Sequence, residues 1–282
     1  MTEPFGMRLA AAVAERGPLC AGIDPSSELL VSWGLTDDAA GLREFSQRCV
    51  EAFAGVVAAV KPQAAFFERH GAAGLAVFEE LVASARQASL VVIADVKRAD
   101  VDTTSAAYAE AWLGDGPLAA DAMTAVPYLG LGALSPMIDM ATARHRGLFV
   151  VVRSSNPEGR SLQRAVTDLG LSVEDALLNE IAELNAAEGA SLGVDLGSLG
   201  AVVGATLAPS RFDLAGLGGP VLAPGVGAQG ATPADVGARF GACRPGALLP
   251  SASRSILARG PSVEALAAGA AELRDELASA LG

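Results

Sequence analysis

The segment Leu90-Val91-Val92-Ile93-Ala94-Asp95-Val96-Lys97 is an apolar run of strand length that ends in charged residues. Similar apolar runs recur along the chain and alternate with Ala-rich stretches of helical periodicity. The predicted strands are 19–24, 56–62, 90–97, 119–126, 148–153, 199–205, 221–224 and 247–250. Continuously apolar strands separated by helices are typical of a parallel sheet that is covered by helices.

Eight strand–helix units within 282 residues predict an α/β protein whose sheet closes into a (β/α)₈ TIM barrel. An open, doubly wound sheet is the alternative architecture. The chain has no internal repeat, low-complexity tract or Pro/Ser-rich linker, so residues 1–282 are expected to form a single domain. We expect this domain to begin with a helix over 5–16 and to end with a helix over 262–281, whose start is marked by Pro261 and Ser262.

Composition and charge exclude several classes of function. Hydrophobic residues make up 51% of the chain and charged residues 18%, which is ample material for a core. The 20 basic and 32 acidic residues give a net charge of −12, which argues against nucleic acid and anionic membranes as partners. No apolar run approaches the roughly 20 residues needed to span a bilayer.

Cysteine usage and the first residues of the chain indicate the cellular compartment. Cys20, Cys49 and Cys243 are odd in number and far apart, so a disulfide framework or a zinc site is not expected. The first 16 residues lack the basic leader and extended apolar region of a signal peptide. We therefore expect a cytoplasmic protein without a structural metal.

Polar residues interrupt the apolar pattern at the ends of several predicted strands. In a TIM barrel, the carboxyl ends of all strands converge on the active site. The polar groups at these ends are Asp24, Lys61, Asp95 with Lys97, Arg153-Ser154-Ser155-Asn156 and Ser253-Arg254-Ser255. A strand that meets solvent explains any one of them, but the cluster at one rim predicts a site. The long irregular segment 153–171 is expected at the same rim, either as a functional loop or as a tolerated surface insertion.

Asp95, Lys97 and Asp100 form the densest group of charges at this rim. Alternation along a strand puts Ile93, Asp95 and Lys97 on one face. Charges on the inner face of a barrel are costly unless they are paired, and Asp95 can pair with Lys97. Because an ammonium group beside carboxylates keeps its proton, Lys97 is predicted to be a proton donor rather than a nucleophile. An ion pair that closes the top of the barrel is the structural alternative.

The segment Asp95-Val96-Lys97-Arg98-Ala99-Asp100-Val101, followed by Thr103-Thr104, resembles the signature of the orotidine 5′-phosphate decarboxylase family. Other stretches resemble that family in the same order along the chain. These stretches are Gly22-Ile23-Asp24-Pro25, Val60-Lys61-Pro62-Gln63, Pro127-Tyr128-Leu129-Gly130, Ser154-Ser155-Asn156-Pro157 and Pro224-Gly225-Val226-Gly227-Ala228-Gln229-Gly230. The fourth of them is similar to the longer, bacterial branch of the family. Together the motifs cover most of the chain and are far more specific than any one of them.

The resemblance implies a homodimeric enzyme that converts orotidine 5′-phosphate to uridine 5′-phosphate (UMP) and CO₂, the last step of de novo pyrimidine nucleotide synthesis. It implies no metal and no organic cofactor. It further implies that Lys97 protonates C6 as CO₂ departs, that Asp95 faces the departing carboxylate and that Lys61 completes the charge array. Asp100 and Thr104 would each act in the site of the neighbouring subunit.

The resemblance also implies how the rest of the substrate is bound. Asp24 would bind the ribose hydroxyls, Ser155 the pyrimidine amide, and Gln229 and Arg254 the phosphate, with Pro224 beside them. Ser154 is the alternative to Ser155, because the register of the motif is open. One departure is Ser253, since many relatives carry Gly before the phosphate-binding Arg.

Three other functions remain open from the sequence. The stretch 225–230 fits GxGxxG, but only one predicted strand follows it and no acidic residue lies about 20 positions further on, so a dinucleotide site is disfavoured. A metal-dependent aldolase or decarboxylase on the same barrel shares the DxKxxD pattern, but such relatives place a Mg²⁺-binding carboxylate at the position of Lys61. The third alternative is a barrel that binds a nucleotide without turnover.

Overall fold

The computed structural model describes residues 3–207 and 214–282. Eight parallel strands pair in sequential order, and the eighth pairs with the first, so the sheet closes. The strands are β1 Cys20–Ile23, β2 Ala59–Pro62, β3 Val91–Arg98, β4 Ala122–Ala125, β5 Gly147–Arg153, β6 Leu199–Val203, β7 Val221–Pro224 and β8 Leu248–Ala252. The predicted (β/α)₈ barrel is confirmed, and the open doubly wound alternative is excluded.

Helices follow every strand except β6 in the described ranges and cover the outside of the barrel. Within the described residues, the α-helices are α1 Phe5–Arg16, α2 Ser27–Ser32, α3 Ala39–Phe53, α4 Ala65–Glu68, α5 Gly71–Gln87, α6 Asp102–Leu113, α7 Ser135–Ala143, α8 Arg160–Gln163, α9 Val173–Leu192, α10 Pro233–Phe240, α11 Arg254–Leu257 and α12 Val263–Leu281. The hydroxyl of Ser262 accepts a hydrogen bond from the backbone N–H of Ala265 and thereby caps α12. Among these helices, none is both long and apolar enough to cross a lipid bilayer.

Several strands begin later than the apolar pattern predicts. The second was expected from residue 56, but the backbone N–H groups of Val56 and Val57 both donate to the carbonyl of Phe53 and complete the end of α3. The fourth was expected from residue 119, but the N–H of Ala120 donates to the carbonyl of Trp112. Apolar residues in such turns are buried like strand residues, so hydropathy alone does not separate the two.

Helix α1 closes the amino-terminal end of the barrel. Phe5 and Leu9 are fully buried among inward-facing strand residues. The rings of Phe5 and Phe149 pack edge to face, with their centroids 5.9 Å apart. The guanidinium of Arg8 pairs with Asp121, just before β4, at 2.9 Å. With this end filled, the carboxyl ends of the strands at the opposite end remain to form a site.

Candidate active site

A buried carboxylate lies between two ammonium groups at the carboxyl ends of β2 and β3. Lys61 Nζ lies 2.6 Å from Asp95 Oδ2, and Lys97 Nζ lies 2.5 Å from Asp95 Oδ1. The side chains of Lys61 and Asp95 are only 9% and 8% exposed, whereas that of Lys97 is 47% exposed. The predicted pairing of Asp95 with Lys97 is confirmed, and the array leaves one ammonium group accessible.

The surroundings keep the buried pair charged. Burial by itself would raise the pKa of Asp95, but the positive charges of Lys61 and Lys97 hold that pKa below its ordinary value. Burial would lower the pKa of Lys61, but the negative charges of Asp95 and Asp24 raise that pKa above its ordinary value. At neutral pH the interior therefore holds a fixed carboxylate and a fixed ammonium group rather than two neutral groups.

The backbone of β3 is irregular where it carries Lys97. Pairing with β4 joins Ala94 to Met123 and next Arg98 to Ala125, so four residue steps on β3 face two on β4. Lys97 itself adopts a φ of +45°, in the left-handed region that residues other than glycine rarely occupy. The predicted regular alternation is therefore wrong at Lys97: its side chain still meets Asp95, but from a bulge rather than from extended strand.

Thr124 of β4 is a site residue that the sequence reasoning missed. Its side chain is buried, accepts a hydrogen bond from the Lys97 backbone N–H at 2.9 Å and donates one to Asp95 Oδ1 at 2.9 Å. The available signal was a single hydroxyl in a predicted strand whose other residues, apart from Asp121, are apolar. That signal is weak, because the register that brings Thr124 opposite Asp95 depends on the bulge in β3.

A cavity at the carboxyl ends of the strands brings five of the predicted site residues together. They are Asp24, Lys61, Pro224, Gln229 and Arg254. Asp24 Oδ1 is buried and has no hydrogen-bond partner among the described residues. A buried acceptor without a partner is costly, so this oxygen is suited to accept a hydrogen bond from a ligand hydroxyl.

The loop after β7 presents Gln229 to this cavity. Gly225 and Gly227 adopt φ values of +114° and +77°, which only glycine adopts readily. The loop is closed by hydrogen bonds from the N–H of Gly227 to the carbonyl of Ala231 at 2.9 Å and from the N–H of Gly230 to the carbonyl of Gly227 at 2.8 Å. This tight turn is a local structural reason for the GxGxxG pattern, so the pattern needs no dinucleotide to explain it.

Ser253, the departure from the family pattern, lines the cavity beside Arg254. Its Cβ lies 2.6 Å from the point that a Cβ on Gly22 would occupy, so the serine fits only because Gly22 faces it from β1. Ser253 precedes α11; its carbonyl accepts hydrogen bonds from the N–H groups of Ile256 and Leu257, but among the described residues its side chain does not cap the helix. Arg254, whose side chain is exposed, therefore follows a residue that packs closely against β1.

Ser154 and Ser155 lie in different environments at the end of β5. Ser154 is held twice by Gln163: its N–H donates to Oε1 at 3.2 Å, and its hydroxyl accepts from Nε2 at 2.7 Å. The Ser154 hydroxyl also donates to Asn156 Oδ1 at 2.6 Å. Ser155 is exposed beside Gly204, and among the described residues its side chain has no hydrogen-bond partner. Of the two, Ser155 is the one available to a ligand.

The segment 153–171 folds back on the strand end from which it starts. Arg153 Nη1 donates to Glu174 Oε2 at 2.6 Å; the Glu174 side chain is buried, and that of Arg153 is partly buried. At the far end of the segment, Val166 and Ser172 pair in an antiparallel β-bridge. Together with the contacts of Gln163, these bonds make the segment a support for Ser154.

Asp100 and Thr104 do not line the cavity described above. Asp100 follows β3 and accepts a hydrogen bond from the N–H of Val101 at 2.8 Å, and Thr104 is exposed on α6. In the part of the chain that the structure describes, neither side chain has an ion pair or a further hydrogen bond. The structure thus does not bring these two residues to the Lys61–Asp95–Lys97 array of the same chain.

Comparisons with known proteins agree with this architecture. Residues 17–268 match the family model described as "Orotidine 5′-phosphate decarboxylase / HUMPS family". The chain is 52% identical over 280 residues to an orotidine 5′-phosphate decarboxylase of Salinispora arenicola, and 51% identical over 286 residues to one of Streptomyces coelicolor, with 99% of each chain covered in both cases.

Solved structures are similar over the whole length. One from Streptomyces avermitilis has a TM-score of 0.93 and 49% identity, covering 99% of this chain and 96% of that one. The structure of the Leishmania donovani OMP decarboxylase has a TM-score of 0.77 and 27% identity, covering 99% of both chains. By its sequence match and its barrel, this chain belongs to the orotidine 5′-phosphate decarboxylase / HUMPS family.

Proposed function

We propose that this protein decarboxylates orotidine 5′-phosphate to UMP and CO₂, the last step of de novo pyrimidine nucleotide synthesis, with Lys97 as the proton donor to C6. The observation that carries the proposal is the Lys61–Asp95–Lys97 array, which lies beside a cavity lined by Gln229 and Arg254. Two relatives that are 51–52% identical over nearly their full length carry this activity in their names, which supports the same assignment.

The array suits a decarboxylation that has no conventional electron sink. When the bond from C6 to the carboxyl carbon breaks, its electron pair stays on C6 in an sp² orbital while CO₂ leaves. A fixed ammonium group beside C6 stabilises this charge and delivers a proton to the same carbon. Lys97 then regains a proton from water, while Asp95 and the buried Lys61 keep the array in place.

The remaining cavity residues match the other parts of the substrate. Arg254 offers a bidentate donor for a phosphate, and Gln229 offers an amide donor beside it. Pro224 and Asp24 line the same cavity, and Asp24 Oδ1 would accept from the ribose hydroxyls. Neither this oxygen nor the Ser155 side chain has a hydrogen-bond partner among the described residues, so Ser155 is available to the pyrimidine amide. Binding energy from the distant phosphate can then contribute to the rate at C6.

The proposal includes a homodimer in which Asp100 and Thr104 act in the partner's site. Among the described residues, neither of them forms a hydrogen bond or an ion pair with the array of its own chain, and the Lys97 side chain is 47% exposed. Tyr128, which follows β4, is a large side chain that is 73% exposed. A second copy of the chain would cover this surface and bring a further carboxylate to Lys97.

Lys61 favours this reaction over a metal-dependent one on the same barrel. A Mg²⁺ site needs carboxylate or other oxygen ligands at this position, and a buried ammonium group repels a cation. In the described residues, no group of three or more His, Cys, Asp or Glu side chains could hold a metal ion. We accordingly propose a cofactor-independent enzyme, and we expect it in the cytoplasm, where its free cysteines would remain reduced.

The direct test is an assay that follows the absorbance of orotidine 5′-phosphate on addition of the purified protein. We expect the absorbance of the orotate ring to disappear with formation of one UMP for each substrate consumed. Binding of UMP without any turnover would instead identify a nucleotide-binding barrel and contradict the proposal.

A further inference from the structure

We infer that Thr124 is a positioning residue for this decarboxylation: its hydroxyl group holds Lys97 in the conformation from which the ammonium group reaches the substrate. The inference rests on the proposed function, because it concerns the same site. It assigns a role to a buried residue of β4 that neither the sequence motif nor the cavity includes.

The first observation concerns the backbone of Lys97. This residue lies inside the irregular pairing of β3 with β4 and has a φ of +45°. A left-handed residue other than glycine persists only where its surroundings hold it there. The Thr124 hydroxyl stabilises this backbone conformation, because it accepts a hydrogen bond from the Lys97 backbone N–H at 2.9 Å.

The second observation concerns the other end of the lysine. The Thr124 hydroxyl donates its own proton to Asp95 Oδ1 at 2.9 Å, and the same oxygen accepts the Lys97 ammonium at 2.5 Å. One hydroxyl thus contacts both the backbone of Lys97 and the carboxylate that holds its side chain. These three hydrogen bonds form a closed ring that fixes Lys97 at both ends.

The position of Thr124 makes the role separable from ligand binding. Thr124 is 1% exposed and lies on β4, whereas the residues proposed to bind ribose and phosphate follow β1, β7 and β8. Loss of the hydroxyl should therefore displace the reacting ammonium group without disturbing the phosphate end. Catalysis is sensitive to such displacement, since a shift of about 1 Å can cost roughly 100-fold in rate.

The test compares Thr124→Val and Thr124→Ser. Valine keeps the shape of threonine but can neither accept nor donate, so we expect kcat to fall roughly 10- to 100-fold while the affinity for UMP stays within about threefold of wild type. Serine keeps both hydrogen bonds and should restore kcat to within about threefold of wild type. The matched control is Ser46→Ala on α3, which removes a buried hydroxyl that has no hydrogen-bond partner among the described residues and should leave kcat unchanged.

Three results would overturn the inference. They are a Thr124→Val kcat within about twofold of wild type, a loss of kcat that is matched by an equal loss of UMP affinity, and a serine variant no better than the valine variant. If Thr124→Val does not fold, Thr124→Ala is compared with Thr124→Ser by the same criteria. A wild-type protein that does not turn over orotidine 5′-phosphate would contradict the proposed function itself, a different result from any of these.

Discussion

The Nζ of Lys97 lies 2.5 Å from Oδ1 of Asp95, and it does so from a left-handed backbone with φ of +45°. The carboxylate is buried and the ammonium group is half exposed, so the pair reaches from the barrel interior to the site. Strained residues of this kind cluster at functional sites, where the surrounding structure maintains them. In this chain the surrounding structure includes Lys61 and Thr124, which hold the same carboxylate from β2 and β4.

Replacing Asp95 with Asn should destabilise the fold in a pH-dependent way. The substitution leaves the buried Lys61 without its ion-pair partner, and breaking a buried pair typically costs about 3–5 kcal/mol. The pKa of Asp95 lies below its ordinary value, so its stabilisation is complete above the unfolded-state pKa of about 3.9 and is lost as the pH falls through the native value.

Urea unfolding of wild type and Asp95→Asn at several pH values checks this prediction. The difference in the free energy of unfolding should be largest at and above about pH 5 and should shrink in stronger acid. Asp139→Asn is a suitable control, because Asp139 is exposed and has no ion pair among the described residues. A difference that stays constant down to pH 3 would contradict the proposed charge state.

Removal of divalent metals should leave activity intact. Lys61 occupies the place where a metal-dependent relative would need a carboxylate, and its ammonium is held at 2.6 Å from Asp95. We therefore expect kcat/KM to be unchanged after exhaustive chelation and after readdition of Mg²⁺. Loss of activity on chelation, with recovery in Mg²⁺, would point to the metal-dependent alternative.

Two inactive variants should complement each other if the site spans the subunit boundary. Lys97→Ala and Asp100→Ala each damage every site of their own homodimer. In a heterodimer, one site carries both defects and the other carries neither. After unfolding and refolding of an equal mixture, about a quarter of the wild-type activity should return, since half the dimers are mixed and half of their sites are intact.

Lys97→Ala mixed with Lys61→Ala is the matched control. Both lysines belong to the same array, 2.5 and 2.6 Å from one carboxylate, so no site in the mixed dimer is intact. This mixture should remain inactive. Equal recovery in both mixtures, or in neither, would count against Asp100 acting across the interface.

Ser155 and Gln163 should affect recognition of the base and not of the phosphate. Ser155→Ala should weaken UMP binding about tenfold, the usual scale for one buried hydrogen bond, but leave ribose 5-phosphate binding unchanged because that ligand lacks the base. Gln163→Ala should have a smaller effect in the same direction, because Gln163 holds the neighbouring Ser154. The inhibition constants of UMP and ribose 5-phosphate as competitive inhibitors measure these affinities. Gln47→Ala is the control, because Gln47 is exposed on the surface of α3.

Equal losses for UMP and ribose 5-phosphate would show that the segment 153–171 merely supports the fold. A normal UMP affinity in Ser155→Ala, together with a weakened one in Ser154→Ala, would transfer the base contact to Ser154.

Much of the barrel was predictable because its strands are buried on both faces. The run 221–224 coincides with β7, and the run 90–97 differs from β3 by one residue at each end. Strand starts were less predictable where apolar residues continue into turns, as they do before Ala59. Local hydropathy reports burial, and burial does not distinguish these turns from strands.

The site was predictable where its residues belong to one sequence motif. It was less predictable where contacts depend on the pairing register of two strands. Asp95 and Lys97 lie two residues apart, so their pairing followed from the sequence. The bulge at Lys97 did not, because it depends on how β3 pairs with β4. Thr124 contacts Asp95 only through that pairing, and the different surroundings of Ser154 and Ser155 depend on a glutamine eight or nine residues away.

The most direct test of the central claim is the turnover of Lys97→Ala compared with its affinity for UMP. If the Lys97 ammonium stabilises the charge at C6 and protonates it, decarboxylation should fall to the background rate, while the variant still folds and still binds UMP through Gln229 and Arg254. Retained turnover in a folded Lys97→Ala protein would contradict the assignment.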